Sequence, residues 1–186
     1  MTVHHSPTEA APAVLHFWFD EVGKDRWFVK DQALDKEISR RFRGLREQLL
    51  ASKAKGWRDT PEHLTAAILL LDQCSRNIFR GSVKAFEADR LALELSKLAL
   101  DRGWIDAVPR DWRQFLLMPL MHSEDMADQD RSVAEFERLG DPENLRFAHL
   151  HRDQVRRFGR FPGRNQALGR VSTAEEREVI AKGETF

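Results

Sequence analysis

Thr60-Pro61-Glu62-His63-Leu64-Thr65-Ala66-Ala67-Ile68-Leu69-Leu70-Leu71-Asp72-Gln73-Cys74-Ser75-Arg76-Asn77-Ile78-Phe79-Arg80-Gly81 is the stretch on which the fold class turns. Thr60 is a good N-cap, and Pro61 suits the first helical position because its missing N–H would have no intrahelical partner there. Leu64, Ala67, Ile68 and Leu71 then recur at spacings of three and four, which predicts a helix with one apolar face. That helix leads straight into Asp72 and Arg76, four apart and so able to pair along its surface. Asn77 can accept the left-handed backbone of a helix end, and the run from Asp72 to Gly81 reads as a loop at a helix exit.

The same grammar extends in both directions. Ser6 with Glu9 resembles a capping box for a helix carrying Val14, Leu15, Phe17, Trp18 and Phe19. From Asp31, the residues Leu34, Ile38, Phe42, Leu45 and Leu49 form one apolar stripe. Residues 86–102 are helical in composition, with Gly103 placed to end them. Pro109 opens a helix that Pro119 should kink or stop. Ser123 is expected to cap the next one, and Gly140 to end it. Asp141-Pro142 restarts the chain toward Phe158 and Gly159, and Ser172 with Glu175 suggests a capping box for a short last helix.

Strand-like alternation is absent from every window of useful length. The expectation is therefore one all-α domain over residues 1–186, built of seven or eight helices stacked as antiparallel hairpins, with residues 1–6 flexible. At 186 residues, a single domain buries roughly 70% of the unfolded chain's surface.

Composition narrows function by exclusion. Lys+Arg 30 balances Asp+Glu 30, so no global field draws the chain to nucleic acid or an anionic membrane, and nucleic-acid binding is not expected. The longest apolar stretches, 66–71 and 115–121, are far shorter than the roughly 20 residues of a membrane helix. Cys74 is the single cysteine, and Met1 to His5 lack the layout of a signal peptide, so the chain reads as cytoplasmic. Homo-oligomerisation stays open.

Charge is uneven near the end. Residues 122–143 hold eight acids against two arginines, and residues 145–170 hold seven arginines against Asp153 alone. Mutual neutralisation across a helical hairpin is the plainer reading, and an anion-binding basic face the sharper one. A second run, Phe158-Gly159-Arg160-Phe161-Pro162-Gly163-Arg164-Asn165, repeats the Arg-Asn pairing of Arg76-Asn77 beside glycine and aromatic residues. Planar guanidinium and amide groups of this kind bind carboxylates, phosphates or carbonyls.

These blocks, together with Val14-Leu15-His16-Phe17-Trp18-Phe19, Arg26-Trp27-Phe28 and Met121-His122-Ser123-Glu124-Asp125, resemble those of the bacterial family known as domain of unknown function 924. The resemblance covers nearly the whole chain. It implies an all-α fold similar to tetratricopeptide-type hairpins and no known activity. Two positions depart from the family pattern: Cys74-Ser75 replaces Phe-Pro, and Gly163 replaces a histidine, so no acid–base or metal role is expected at position 163.

Two functional expectations follow. The first is a non-enzymatic binding module for a peptide or small anionic ligand, held by Arg76, Asn77, Arg80, His122, Arg160, Arg164 and Asn165. The second is an enzyme in which His151, with Asp72 or Glu124, performs acid–base chemistry on an arginine-held anion. His151 shares a helix face with Phe147, Val155 and Phe158, which equally fits a core histidine. No metal site is expected, because His122, Glu124 and Asp125 lack a second histidine at i+4 and the two acids diverge on a helix. No cofactor motif is present: the second run follows no strand and has no Lys-Ser behind it. Cys74, unflanked by histidine, reads as a small buried residue.

Overall fold

The computed structural model describes residues 6–186, all of whose regular elements are helical. The expected flexibility of residues 1–5 lies outside the described residues, and Ser6 already belongs to the first cap, its N–H and hydroxyl both donating to Glu9. Helix α1 spans Pro7–His16 and runs into a π turn at Phe17–Val22. Helix α2 spans Gln32–Ala51, α3 Pro61–Leu69, and a second π turn at Leu70–Cys74 joins α3 to α4, Ser75–Ile78. Then come α5 Asp89–Asp101, α6 Arg110–Met121, α7 Met126–Leu139, α8 Pro142–Phe158 and α9 Ala174–Ala181. Because α3 and α4 form one rod, the described residues make eight rods, in keeping with the seven or eight expected.

The central rod differs from the sequence reading. Leu64 through Ser75 are all buried, not one face of them. A helix apolar on every side belongs in the middle of a fold, and α3 with its π turn is surrounded by α1, α2, α5 and α6. Asp72 and Gln73 ride into the interior on this rod. The π turn is also why Asp72–Ile78 is not the expected loop: the chain stays helical, and the left-handed residue is Gly81 at φ +77°, not Asn77.

Most boundaries fall where local chemistry puts them. Thr60 accepts from the His63 N–H at 3.1 Å, and Asp31 and Asp141 cap α2 and α8 through their carboxylates. Gly140 and Gly159 close α7 and α8 in the left-handed conformation. Three expectations are corrected. Asp125, not Ser123, caps α7, since the Ser123 hydroxyl is donated to Asp128. Thr173 with Glu176, not Ser172 with Glu175, forms the last capping box, and Ser172 instead accepts from Asn165. Of the kink or stop expected at Pro119, the stop does not occur there, since α6 continues to Met121.

Along the second half, α6, α7 and α8 pack in succession. The opposite charges of 122–143 and 145–170 do not simply cancel across that pair. Arg152 approaches Asp130 at 3.8 Å, but Arg157 pairs with Glu175 and Arg160 with Glu176 on the last helix. Among the described residues no helix is long and apolar enough to cross a membrane.

Candidate functional site

One cavity, of about 610 Å³, opens between the π turn with α4, the C-terminal end of α6 and the N-terminal half of α8. Gln73, Arg76, Asn77 and Arg80 line one side, Met118, Met121 and His122 another, and Asn144, Phe147 and His151 a third. Trp27, Phe28 and Phe186 complete the aromatic part of the wall.

The polar centre is built around Asp72, 1% exposed. Its Oδ1 lies 2.8 Å from His122 Nδ1 and 2.7 Å from Arg76 Nη1, and its Oδ2 accepts from Gln73 Nε2 at 2.6 Å. Burial alone would raise this carboxyl, but Arg76 and His122 outweigh it and hold Asp72 well below the usual carboxylate range. Burial also pulls His122 down, with Asp72 opposing in part. The pair is therefore a carboxylate accepting Nδ1–H from a neutral imidazole. Nε2 is left with a lone pair on a ring that lines the cavity.

His151 stands beside it, ring centroids 6.0 Å apart. Its Nδ1 donates to the Phe147 carbonyl at 2.8 Å, and Phe186 stacks on it at 3.7 Å. Burial first, and the neighbouring His122 second, push this imidazole down to about 3. The residue is both the core histidine of the plainer reading and a cavity wall.

Phe186 reaches His151 because position 163 carries no side chain. A Cβ there would lie 2.6 Å from the Phe186 carbonyl oxygen. Gln154 secures the segment, donating to the Glu184 carbonyl at 2.9 Å and accepting from the Phe186 N–H at 3.3 Å. Where the family pattern has a histidine, this chain has a path for an aromatic side chain into the cavity.

The expected site residues thus divide. Arg76, Asn77, Arg80, His122 and His151 line the cavity, Asp72 lies buried behind His122 and Arg76, and Glu124, Arg160, Arg164 and Asn165 do not line it. Glu124 accepts from Arg170 and from the Phe161 N–H, so it does not serve His151 as an acid–base partner. Arg160 forms a fork with Glu176 at 2.7 and 2.8 Å, and Asn165 donates to Ser172 and Glu176. Arg164 reaches Asp89 at 3.3 Å and the His122 carbonyl at 3.0 Å. The second Arg-Asn run braces the cavity from behind.

Sequence reading missed Asp35 and Asp89, which hold the arginines in the first run. Asp35 accepts from Asn77 at 2.8 Å and from both arms of Arg80 at 2.8 Å; Asp89 receives Arg76 at 3.0 and 3.1 Å. Nothing in local spacing marks these partners. Cys74 is buried beside Asp72, and burial first, then that carboxylate, push its thiol up to about 12, which makes it inert. No group of three metal-ligating side chains stands together among the described residues.

A family model described as "Bacterial protein of unknown function (DUF924)" matches residues 14–184. A solved structure, "Structure of Protein of Unknown Function ATU0120 from Agrobacterium tumefaciens", superimposes with a TM-score of 0.90 at 38% identity, covering 96% of this chain and 100% of that one. No curated protein matches.

Proposed function

We propose that this chain, which belongs to the bacterial DUF924 family, binds a small molecule in the cavity beside Asp72 and exchanges a proton with it through His122. The observation that carries this reading is the 2.8 Å contact between His122 Nδ1 and Asp72 Oδ1. A buried carboxylate fixes the tautomer and stabilises the charge that the ring gains when Nε2 takes a proton, the usual preparation of an imidazole base. Asp72 is a positioning residue, and His151 supplies a second imidazole on the same wall.

Binding without chemistry is the competing reading, and the cavity supports it equally as a receptacle. A site for a peptide or small anion draws less support, because every guanidinium expected to hold the anion already has a carboxylate partner.

The test is a metabolite panel spanning amines, polyols, carboxylates and phosphates, screened by thermal shift. Each hit is then incubated in deuterium oxide and followed by NMR for turnover or solvent exchange. His122→Asn should bind hits while slowing exchange or turnover by roughly 10²–10⁴-fold. Hits that bind but neither react nor exchange would leave a binding protein and end the acid–base reading.

A further inference from the structure

Four polar side chains at the inner end of the cavity are each committed, on their far side, to a partner that can only accept a hydrogen bond. Asp72 faces His122 Nδ1 at 2.8 Å and Gln73 Nε2 at 2.6 Å. Asp35 faces Asn77 Nδ2 at 2.8 Å, and the Phe147 carbonyl faces His151 Nδ1 at 2.8 Å. Ionised carboxylates and carbonyls have no proton to give, so each facing nitrogen must carry hydrogen. This fixes both imidazole tautomers and both amide orientations by chemistry.

What remains on the near side of each group is a lone pair: Nε2 of His122 and His151, Oε1 of Gln73, Oδ1 of Asn77. None of these atoms has a protein partner, and none is sealed from solvent as an orphan. Gln73, Asn77 and His151 are nevertheless only 7%, 9% and 6% exposed. Buried acceptors kept open toward a cavity define what can satisfy them, namely a group rich in N–H or O–H donors.

The cations in the same wall each have a carboxylate partner already. Lys24 meets Asp111 at 2.7 Å, Arg76 meets Asp72 and Asp89, and Arg80 meets Asp35. With Arg164, which shares Asp89, four basic groups stand among six carboxylates, the others being Asp141 and Glu143 on the lining. Negative charge is therefore in excess around the cavity, whose wall also offers the aromatic faces of Phe147, Phe186 and Trp27.

We propose that the cavity takes an organic amine, protonated on nitrogen, with an apolar or aromatic body. The ammonium sits among the four acceptors, and the body lies against Phe147 and Phe186. An ammonium brings three donors and no acceptor, and aromatic faces attract the same charge. A carboxylate placed there would meet four lone pairs and no unmatched cation. This inference rests on the cavity being the binding site and names the class of molecule that the site recognises.

Three probes with one body and different heads test it: phenethylamine, phenethyl alcohol and hydrocinnamate, titrated calorimetrically into the full chain. The amine should bind at least about tenfold more tightly than either of the others and move the imidazole resonances of His122 and His151. Glu143→Gln should weaken the amine severalfold and leave the alcohol unchanged. If the alcohol or the acid binds as well as the amine while moving those resonances, the ligand class is wrong and the site stands. An amine that binds without moving them binds elsewhere, which also overturns the inference. If none of the three binds at low-millimolar concentration to protein with an intact helical spectrum, the ligand class and the cavity site fall together.

Discussion

His151 is held neutral in the folded chain at a pH where the unfolded chain would charge it. The unfolded ring titrates near its ordinary 6.5 and the folded ring near about 3. Between those values the unfolded state holds a proton that the folded state lacks, so stability falls as the solution is acidified through that window, by about 1.4 kcal/mol per pH unit. His122, also lowered by burial, acts in the same sense. Asp72 adds its part further down: a carboxyl held below its ordinary 3.8 stabilises the fold above that value and loses the contribution as pH drops toward its folded one. Urea unfolding at a series of pH values from neutral to mildly acid should show the slope, and His151→Phe should flatten it. A wild-type slope in that variant would remove His151 as the cause. Gly163 belongs to this scale too. The resemblance flagged it as a departure, but only the 2.6 Å approach of the Phe186 carbonyl shows that the missing side chain is occupied space.

At the scale of the element, the π turn at Leu70–Cys74 sets the site. One wider turn lets five consecutive residues, Leu70 through Cys74, stay buried while Arg76 and Asn77 still reach Asp89 and Asp35. Such turns insert one residue into an α-helix and often lie at functional sites. Deleting Cys74 would let the rod run as plain α-helix and rotate Ser75–Ile78 by one residue, about 100°. Asp89 and Asp35 would then lose Arg76 and Asn77, and urea denaturation should show a loss of roughly 3–5 kcal/mol. Unchanged stability would mean that the turn has no such role.

Some caps were legible because they are local: Thr60, Gly140 and Gly159 act within their own turn. The last capping box slipped by one because Ser172-Thr173-Ala174-Glu175-Glu176 fits the pattern in two registers. The choice fell to Thr173, with Asn165 and Arg160, both from the preceding run, engaging Ser172 and Glu176. The π turn itself left no trace in the apolar spacing, since every side of that rod is covered.

Across the whole molecule, Arg164 ties the second Arg-Asn run to the first. Only 7% exposed, it reaches Asp89 and the His122 carbonyl, and its guanidinium lies 4.9 Å from the Phe86 ring centre and 4.4 Å from that of Phe161. Arg164→Ala removes one charge of a buried set and should cost roughly 3–5 kcal/mol in urea denaturation. Because Arg164 does not line the cavity, binding of the amine probe should survive under conditions where the variant is folded. Unchanged stability would defeat the bracing role.

By itself the sequence determined the all-α class, several helix ends and the residue types that meet at the site, because propensity, capping and apolar spacing act within a few residues of chain. Tertiary structure alone decided what those residues do. His122 meets Asp72 across 50 positions, Asn77 meets Asp35 across 42, and Arg164 meets Asp89 across 75. A guanidinium looks free for an anion until packing supplies its carboxylate, and an imidazole or amide can show either a donor or an acceptor until a distant partner takes one side. That pairing across the fold closed the arginines and left a cavity lined with lone pairs.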